Sequence, residues 1–418
     1  MDIIPYNMNL FEDGDIGSLK ELEEILNEIP YHHLIETLNN ERKNGRNDYS
    51  NESLFRVYIA RIIFKHSTMQ SVIDELKRNP SLRIICRIEP KIKKDGTKQL
   101  APDNAVFTRF EARLKKHQLL VDEIFKRMNK DLSIELEDYG ETLALDGKIV
   151  ESYANRCAKN KKKDGRRELD ADYTKKTYTK TTDKGEIVTK THTYFGFRIH
   201  LLVDTRYEMP LMFWVTPASD GERTIAKVMM DEMPDWLKER AKFLMADRGY
   251  DGRPLQEKIE AKGIIPIIDI CNRWKNGEKT KQYKDTDFVY TYRGEVYYIG
   301  DSGKSYRAYY KGYHKASDSL RYETHRKDGG GINKISIKRE TDPRIFNLVA
   351  RDSKKFKRYY KQRTSVERVN GRIDRDYLFE NHTIRGLEKM NLRVSMCFIT
   401  MLARKKAEIR AGKIDQVA

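Results

Sequence analysis

Near residue 140 the apolar residues of this chain change their spacing, so one kind of element cannot account for both halves. Before that point, SLKELEEILNEI (18–29), ESLFRVYIARIIFKHS (52–67), MQSVIDELKRN (69–79) and DNAVFTRFEARLKKHQLLVDEIFKRMNKDL (103–132) space apolar side chains three and four apart, as amphipathic helices do. Asp103, just after Pro102, is placed to cap the last of these. Beyond it, YFGFRIHLLVDT (194–205) puts Phe195, Phe197, Ile199, Leu201 and Val203 on one face at the period of a strand. PLMFWVTP (210–217) follows at hairpin distance, and ETLALDGK (141–148) reads as a short buried strand that ends in an Asp and turns at Gly147. A helix (223–233), a strand ending in Asp (AKFLMADRGYDG, 241–252), a helix closed by Gly263 (253–263) and a strand (264–270) complete the series. Strands in antiparallel order, then strands alternating with helices, predict a mixed α/β core.

Four regions follow: helical 1–138, a core 139–270, a β-rich insertion 271–345 and C-terminal helices 346–418. The insertion rests on VYTYRGEVYYIGDSGKSYRAYYKGYHK (289–315), rich in Tyr, Gly and basic residues, which predicts short antiparallel strands joined by Gly turns. From Asp342 to about Arg410 the spacing is helical again. Residues 155–190 read as a polar basic loop.

Charge narrows the partners. The chain carries 81 basic and 64 acidic residues, a formal net charge of +17, and its hydrophobic share of 39% is enough for a folded core. A polyanion is the expected partner. No apolar run approaches the roughly 20 residues of a membrane span, and the best, MCFITMLA (396–403), is flanked by Arg393 and Arg404. The first residues lack the basic start of a signal peptide, and the four scattered cysteines form no zinc or disulfide pattern, so a reducing cytoplasm is expected.

Within the basic run 354–375 stands one carboxylate, Glu367, with no other acid until Asp374. It is either an i,i+4 ion-pair partner of Arg363 or part of a site. Asp146 and Asp247, each ending an apolar strand, are the other acids held at the edge of a core. Carboxylates converging from different elements suit hard divalent cations, Mg²⁺ or Mn²⁺, and two such ions activate a nucleophile and stabilise the leaving oxygen of a phosphodiester. Tyr360, Arg363 and Glu367, at i, i+3 and i+7, share one helix face, which Asn370 continues.

LALDGK, FLMADRGYDG and YYKQRTSVERVNGR, in that order, resemble the catalytic segments of DDE transposases of bacterial insertion sequences. The likeness is nearest the IS-four-like group, with its signature Y-x2-R-x3-E-x6-K. Tyr360, Arg363 and Glu367 match it; the Lys position falls on Asp374, with Arg372 and Arg375 beside it. The resemblance spans roughly residues 50–405. It implies a ribonuclease-H-like core with a β-rich insertion, preceded by a helical DNA-binding domain. It further implies Asp146, Asp247 and Glu367 as a catalytic triad for two Mg²⁺ or Mn²⁺ ions. The partner would be double-stranded DNA, both transposon ends and target, bound by a homodimer that frees a 3′-OH and transfers it. Tyr360, Arg363, Lys148, Arg372 and Arg375 are then phosphate contacts. Trp274 either stacks on an unpaired base or anchors the insertion, His200 either approaches the acids or sits hydrogen-bonded at the surface, and Asp251 is expected to cap the helix from Arg253. The alternatives are a metal-dependent nuclease without strand transfer and a domesticated DNA-binding protein derived from a transposase.

Overall fold

The computed structural model describes residues 18–41, 48–93, 95–158, 166–181, 187–275, 277–325 and 331–412. The N-terminal residues weighed as a signal peptide, and parts of the 155–190 segment, lie outside them. Helices α1 (Ser18–Glu28), α2 (His32–Asn40), α3 (Asn51–Ile63), α4 (Met69–Arg78) and α5 (Pro80–Ile85) come first. A small ribbon of β1 (Lys91–Ile92) and β2 (Lys98–Gln99) precedes α6 (Asn104–Lys116) and α7 (Gln118–Glu135). The side chains of Ser50, Thr68 and Asn79 accept from the amides of Ser53, Ser71 and Leu82, satisfying donors that a helix start leaves free. Asp103 stands at the N-cap of α6 but makes no such side-chain bond.

The central sheet contains β3 (Thr142–Glu151), β4 (Asp172–Thr181), β5 (Ile187–Asp204), β6 (Pro210–Pro217), β7 (Phe243–Ala246) and β8 (Ile265–Ile268). The order across it is β6-β5-β3-β7-β8, with β3, β7 and β8 parallel and β5 antiparallel to both β3 and β6. The sheet is therefore mixed, as the strand spacing predicts. Helices α8 (Glu222–Asp231) and α9 (Asp235–Arg240) link β6 to β7, and α10 (Arg253–Glu260) links β7 to β8. A second, antiparallel sheet holds β9 (Lys281–Gln282), β10 (Phe288–Tyr290), β11 (Val296–Ile299), β12 (Ser305–His314), β13 (Ser319–His325) and β14 (Ile332–Lys338) in sequential order around its own core. The chain closes with α11 (Lys354–Tyr360), a tight turn (Lys361–Arg363), α12 (Thr364–Tyr377) and α13 (Leu387–Arg410).

Burial explains the layers. Val366, Val369, Ile373 and Tyr377 recur on one side of α12 and face β3 and β5. Phe213 of β6 meets Phe125 of α7 and Phe398 of α13 edge-on, with centroids 5.2 and 5.1 Å apart. The N-terminal helices and the central sheet thus share one hydrophobic cluster. MCFITMLA lies in α13 and is apolar because it is buried inside the protein, between α7, α1 and β6. Among the described residues no helix is long and apolar enough to cross a membrane.

Four expectations need correction. Strand β3 does not end at Asp146 or turn at Gly147; it runs to Glu151, because antiparallel β5 offers it partners as far as Gly196. The described part of the 155–190 loop contains β4, paired with the first half of β5. From Gly196 onward β5 is buried on both faces, so the face opposite Phe197 and Ile199, which carries His200, is not at the surface. Finally, helix does not run unbroken from Asp342: residues 342–353 and 378–386 lie outside the long helices.

Candidate functional site

Leu145 of β3 pairs in parallel register with Ala246 of β7, so Asp146 and Asp247 are the next residues on neighbouring strands, whose spacing is about 4.8 Å. Asp146 accepts from the Gly147 amide at 2.8 Å, and Asp247, just past β7, accepts from the Gly249 amide at 2.7 Å. Burial pushes the Asp146 carboxyl up to about 6; the charges of Asp247 and Glu222 add to this, while the Gly147 amide and Arg363 oppose it.

Glu222 was not singled out in the sequence. It is the first residue of α8, ion-paired with Arg198 at 3.0 Å. Burial raises its carboxyl against the pull of Arg198, with Asp247 raising it further. Glycines admit it: a Cβ at Gly147 would lie 2.8 Å from Glu222 Oε1, and one at Gly249 would lie 3.3 Å from Glu222 Oε2. Local spacing did not mark Glu222, which lies five residues past the apolar strand 210–217, whereas Asp247 directly follows 243–246. Asp146, Asp247 and Glu222 act on one another by charge without converging on one point. Among the described residues, no three Asp, Glu, His or Cys side chains are arranged to hold a metal ion.

Glu367 stands apart from the two aspartates. Arg363 Nη2 donates to Glu367 Oε1 at 2.7 Å, and the Glu367 side chain is 52% exposed. The guanidinium of Arg363 acts on Asp146 as well and lies 5.9 Å from the centroid of the Tyr360 ring. Burial raises the Tyr360 hydroxyl, with the negative charges of Asp269 and Asp247 adding to it. The face Tyr360–Arg363–Glu367 passes through the tight turn between α11 and α12, where the backbone keeps right-handed helical angles.

The other expected contacts are largely engaged with carboxylates. Lys148 Nζ donates to Asp374 Oδ2 and to Glu380 Oε1, both at 2.6 Å, joining β3 to α12 and the loop after it. At the position where the resemblance calls for Lys, Asp374 is therefore paired with a lysine from another element. Arg372 is bound to Glu208, and Arg375 to Asp376 at 2.8 Å. Trp274 is half-buried, packs edge-on to Tyr290 and Tyr292, and has Lys281 over its ring at 5.0 Å. His200 is buried rather than at the surface. Its Nε2 lies 3.0 Å from Thr216 Oγ1, and burial, with Arg198 nearby, lowers its imidazole to about 3. Asp251 caps no helix. It is fully buried and accepts from the Cys271 amide at 3.0 Å and from Arg344 at 2.8 Å, which ties the second sheet to the core.

Asp146 and Lys148 open into a cleft of about 600 Å³, lined also by Asn370 and by Lys176, Tyr178 and Tyr194 of the β4–β5 ribbon. None of those three ribbon residues was singled out in the sequence, because a strand polar on both faces carries no apolar period to mark it.

The chain resembles the solved structure of a piggyBac transposase synaptic complex with hairpin DNA at 10% identity, over 94% of this chain and 76% of that one. The TM-score is 0.38, too slight a likeness to bear on fold or chemistry. Family models speak directly: residues 8–113 match a transposase domain (DUF772), and residues 140–403 match the transposase DDE domain. With more than half its length in that second match, the chain belongs to the DDE-domain transposase family.

Proposed function

We propose that this transposase binds the ends of its element as duplex DNA, hydrolyses a phosphodiester there and joins the freed 3′-OH to target DNA. The observation that carries the reading is the register that sets Asp146 beside Asp247, with the charge of Arg363 acting on Asp146. The strand order β6-β5-β3-β7-β8, with β5 reversed, supports a ribonuclease-H-like core.

The donor set fits a hard cation. Asp146, Asp247 and Glu222 offer only oxygens, and their mutual repulsion in a buried place is what a divalent ion relieves. Asp146 and Asp247 would hold Mg²⁺ or Mn²⁺, with Glu367 completing a two-ion site. Such ions supply an activated hydroxyl nucleophile and stabilise the leaving oxygen. The protein's own part is positioning. Arg363 takes the phosphate beside the scissile bond in a two-pronged contact, with the Tyr360 ring supporting its guanidinium. A phosphate on Arg363 also frees Glu367 from its present partner and lets it turn toward the aspartates. Lys148, already shared by two carboxylates, holds α12 against β3. Two ends must be held together, so the working unit on DNA is a homodimer; a complex sedimenting as one subunit on two ends would refute this.

The test compares wild type, Asp146→Asn and Glu367→Gln on the element's own end DNA with Mg²⁺ or Mn²⁺. The expected result is cleavage and joining by wild type alone, with both variants still binding DNA. Full activity in Glu367→Gln would leave that residue as the surface ion pair seen here. Cutting without joining by wild type would make the protein a nuclease.

A further inference from the structure

The β4–β5 ribbon runs out from the core on the N-terminal side of Gly196. Its register pairs Lys176 with His192 and Tyr178 with Lys190, and Thr174 with Tyr194. Residues directly opposite on paired strands share a face, as do residues two apart, so Lys176, Tyr178, Lys190, His192 and Tyr194 lie on one side. Tyr178 is 50% exposed and meets the His192 ring edge-on at 5.8 Å. The opposite side is already occupied at its base, where Tyr173 packs on Phe195 at 4.8 Å beneath Arg156. Between Tyr173 and Lys180, and again between Val188 and Phe195, the sequence contains four lysines and no acid. The aromatic and basic face opens into the same cleft as Asp146.

We propose that this face binds a single-stranded segment of DNA next to the bond to be cut, with backbone phosphates on Lys176 and Lys190 and one unpaired base stacked on Tyr178. The inference rests on the transposase reading. Charge complementarity points to a polyanion, and continuity with the Asp146 cleft points to the strand being processed. An exposed ring between lysines favours an unpaired base, because a base inside a duplex has no free face to offer.

The probes are a blunt duplex and the same duplex carrying a ten-nucleotide oligothymidine tail, both binding full-length protein in EDTA and followed by fluorescence anisotropy. Wild type is expected to prefer the tailed probe. Tyr178→Ala is expected to weaken the tailed complex about tenfold and the blunt one less than twofold, while Tyr178→Phe keeps the preference. Lys176→Ala with Lys190→Ala is expected to reduce the salt dependence of tailed-probe binding by about 1.4 in log K against log salt, about 0.7 for each phosphate no longer neutralised by a lysine. Equal losses on both probes, no loss in Tyr178→Ala, or no preference in wild type would overturn the proposal. If wild type still cuts and joins end DNA in that case, the ribbon assignment falls alone. If wild type neither binds nor cuts DNA, the functional reading falls with it.

Discussion

At the scale of single residues, the site stores its function as unrelieved charge. Asp146 is raised from 3.8 to about 6, chiefly by burial, so the folded chain holds that proton more tightly than the unfolded chain does. Stability from this group is therefore fully present below about pH 4 and is lost as pH rises through 6. Asp146→Asn keeps the shape and removes the cost. In EDTA it is expected to unfold at a higher temperature than wild type at pH 7.5, by about 1–3 kcal/mol in stability, with the gap closing toward pH 4. Thermal unfolding across that range checks both the size and the sign. Added Mn²⁺ is expected to raise the midpoint of wild type and leave the variant unmoved. A stabilising loss of a carboxylate is the mark of a group kept for something other than folding.

At the scale of elements, one glycine lets the core sheet and the ribbon share a strand. At Gly196, β5 leaves β4, begins pairing with β3, and accepts from the Ala218 amide at 3.0 Å. A Cβ there would lie 2.0 Å from the Val150 carbonyl oxygen and 2.9 Å from Glu151 Cα. Both are backbone atoms and cannot turn aside. Gly196→Ala is accordingly expected to cost about 3 kcal/mol or more in a denaturant titration. Hydrogen exchange should locate the loss at β3 and β5. A Gly inside a strand pattern is a recognised sign of close backbone approach, so the Gly of YFGF carried that information. The ribbon beyond it was harder to see. Its Thr, Lys and Tyr residues favour strands, but with neither face apolar nothing local sets a register.

At the scale of the whole molecule, the second sheet is tied to the core through a buried ion pair. Arg344 reaches the fully buried Asp251 at 2.8 Å and also donates to the Cys271 carbonyl at 2.9 Å. Arg344→Ala deprives the fully buried Asp251 of its nearer cationic partner and leaves Arg273 at 3.7 Å, at an expected cost of about 3 kcal/mol. Limited proteolysis is expected to cut first between residues 271 and 345 in this variant, with the central sheet resistant. Cutting at wild-type rates and sites would mean that the apolar contacts around Ile270 and Phe346 hold the two sheets together without it.

By itself the sequence determined the change from helical to strand period, the mixed α/β core and the two acids beside apolar strands. It also contained the Tyr360–Arg363–Glu367 face. All of these depend on spacing between residues close in the chain, where the backbone repeat alone decides which side chains share a face. Only the tertiary structure decided which charges meet. The β3–β7 register brings Asp146 beside Asp247, the start of α8 adds Glu222, and the packing of α12 gives Lys148 to Asp374, 226 residues away. Glu367, the acid most visible in the sequence, is instead held by its neighbour Arg363. Strand register and helix packing are summed over the whole core, so a local pattern can nominate a partner one helical turn away, as it did Arg363 for Glu367, but not one from another element.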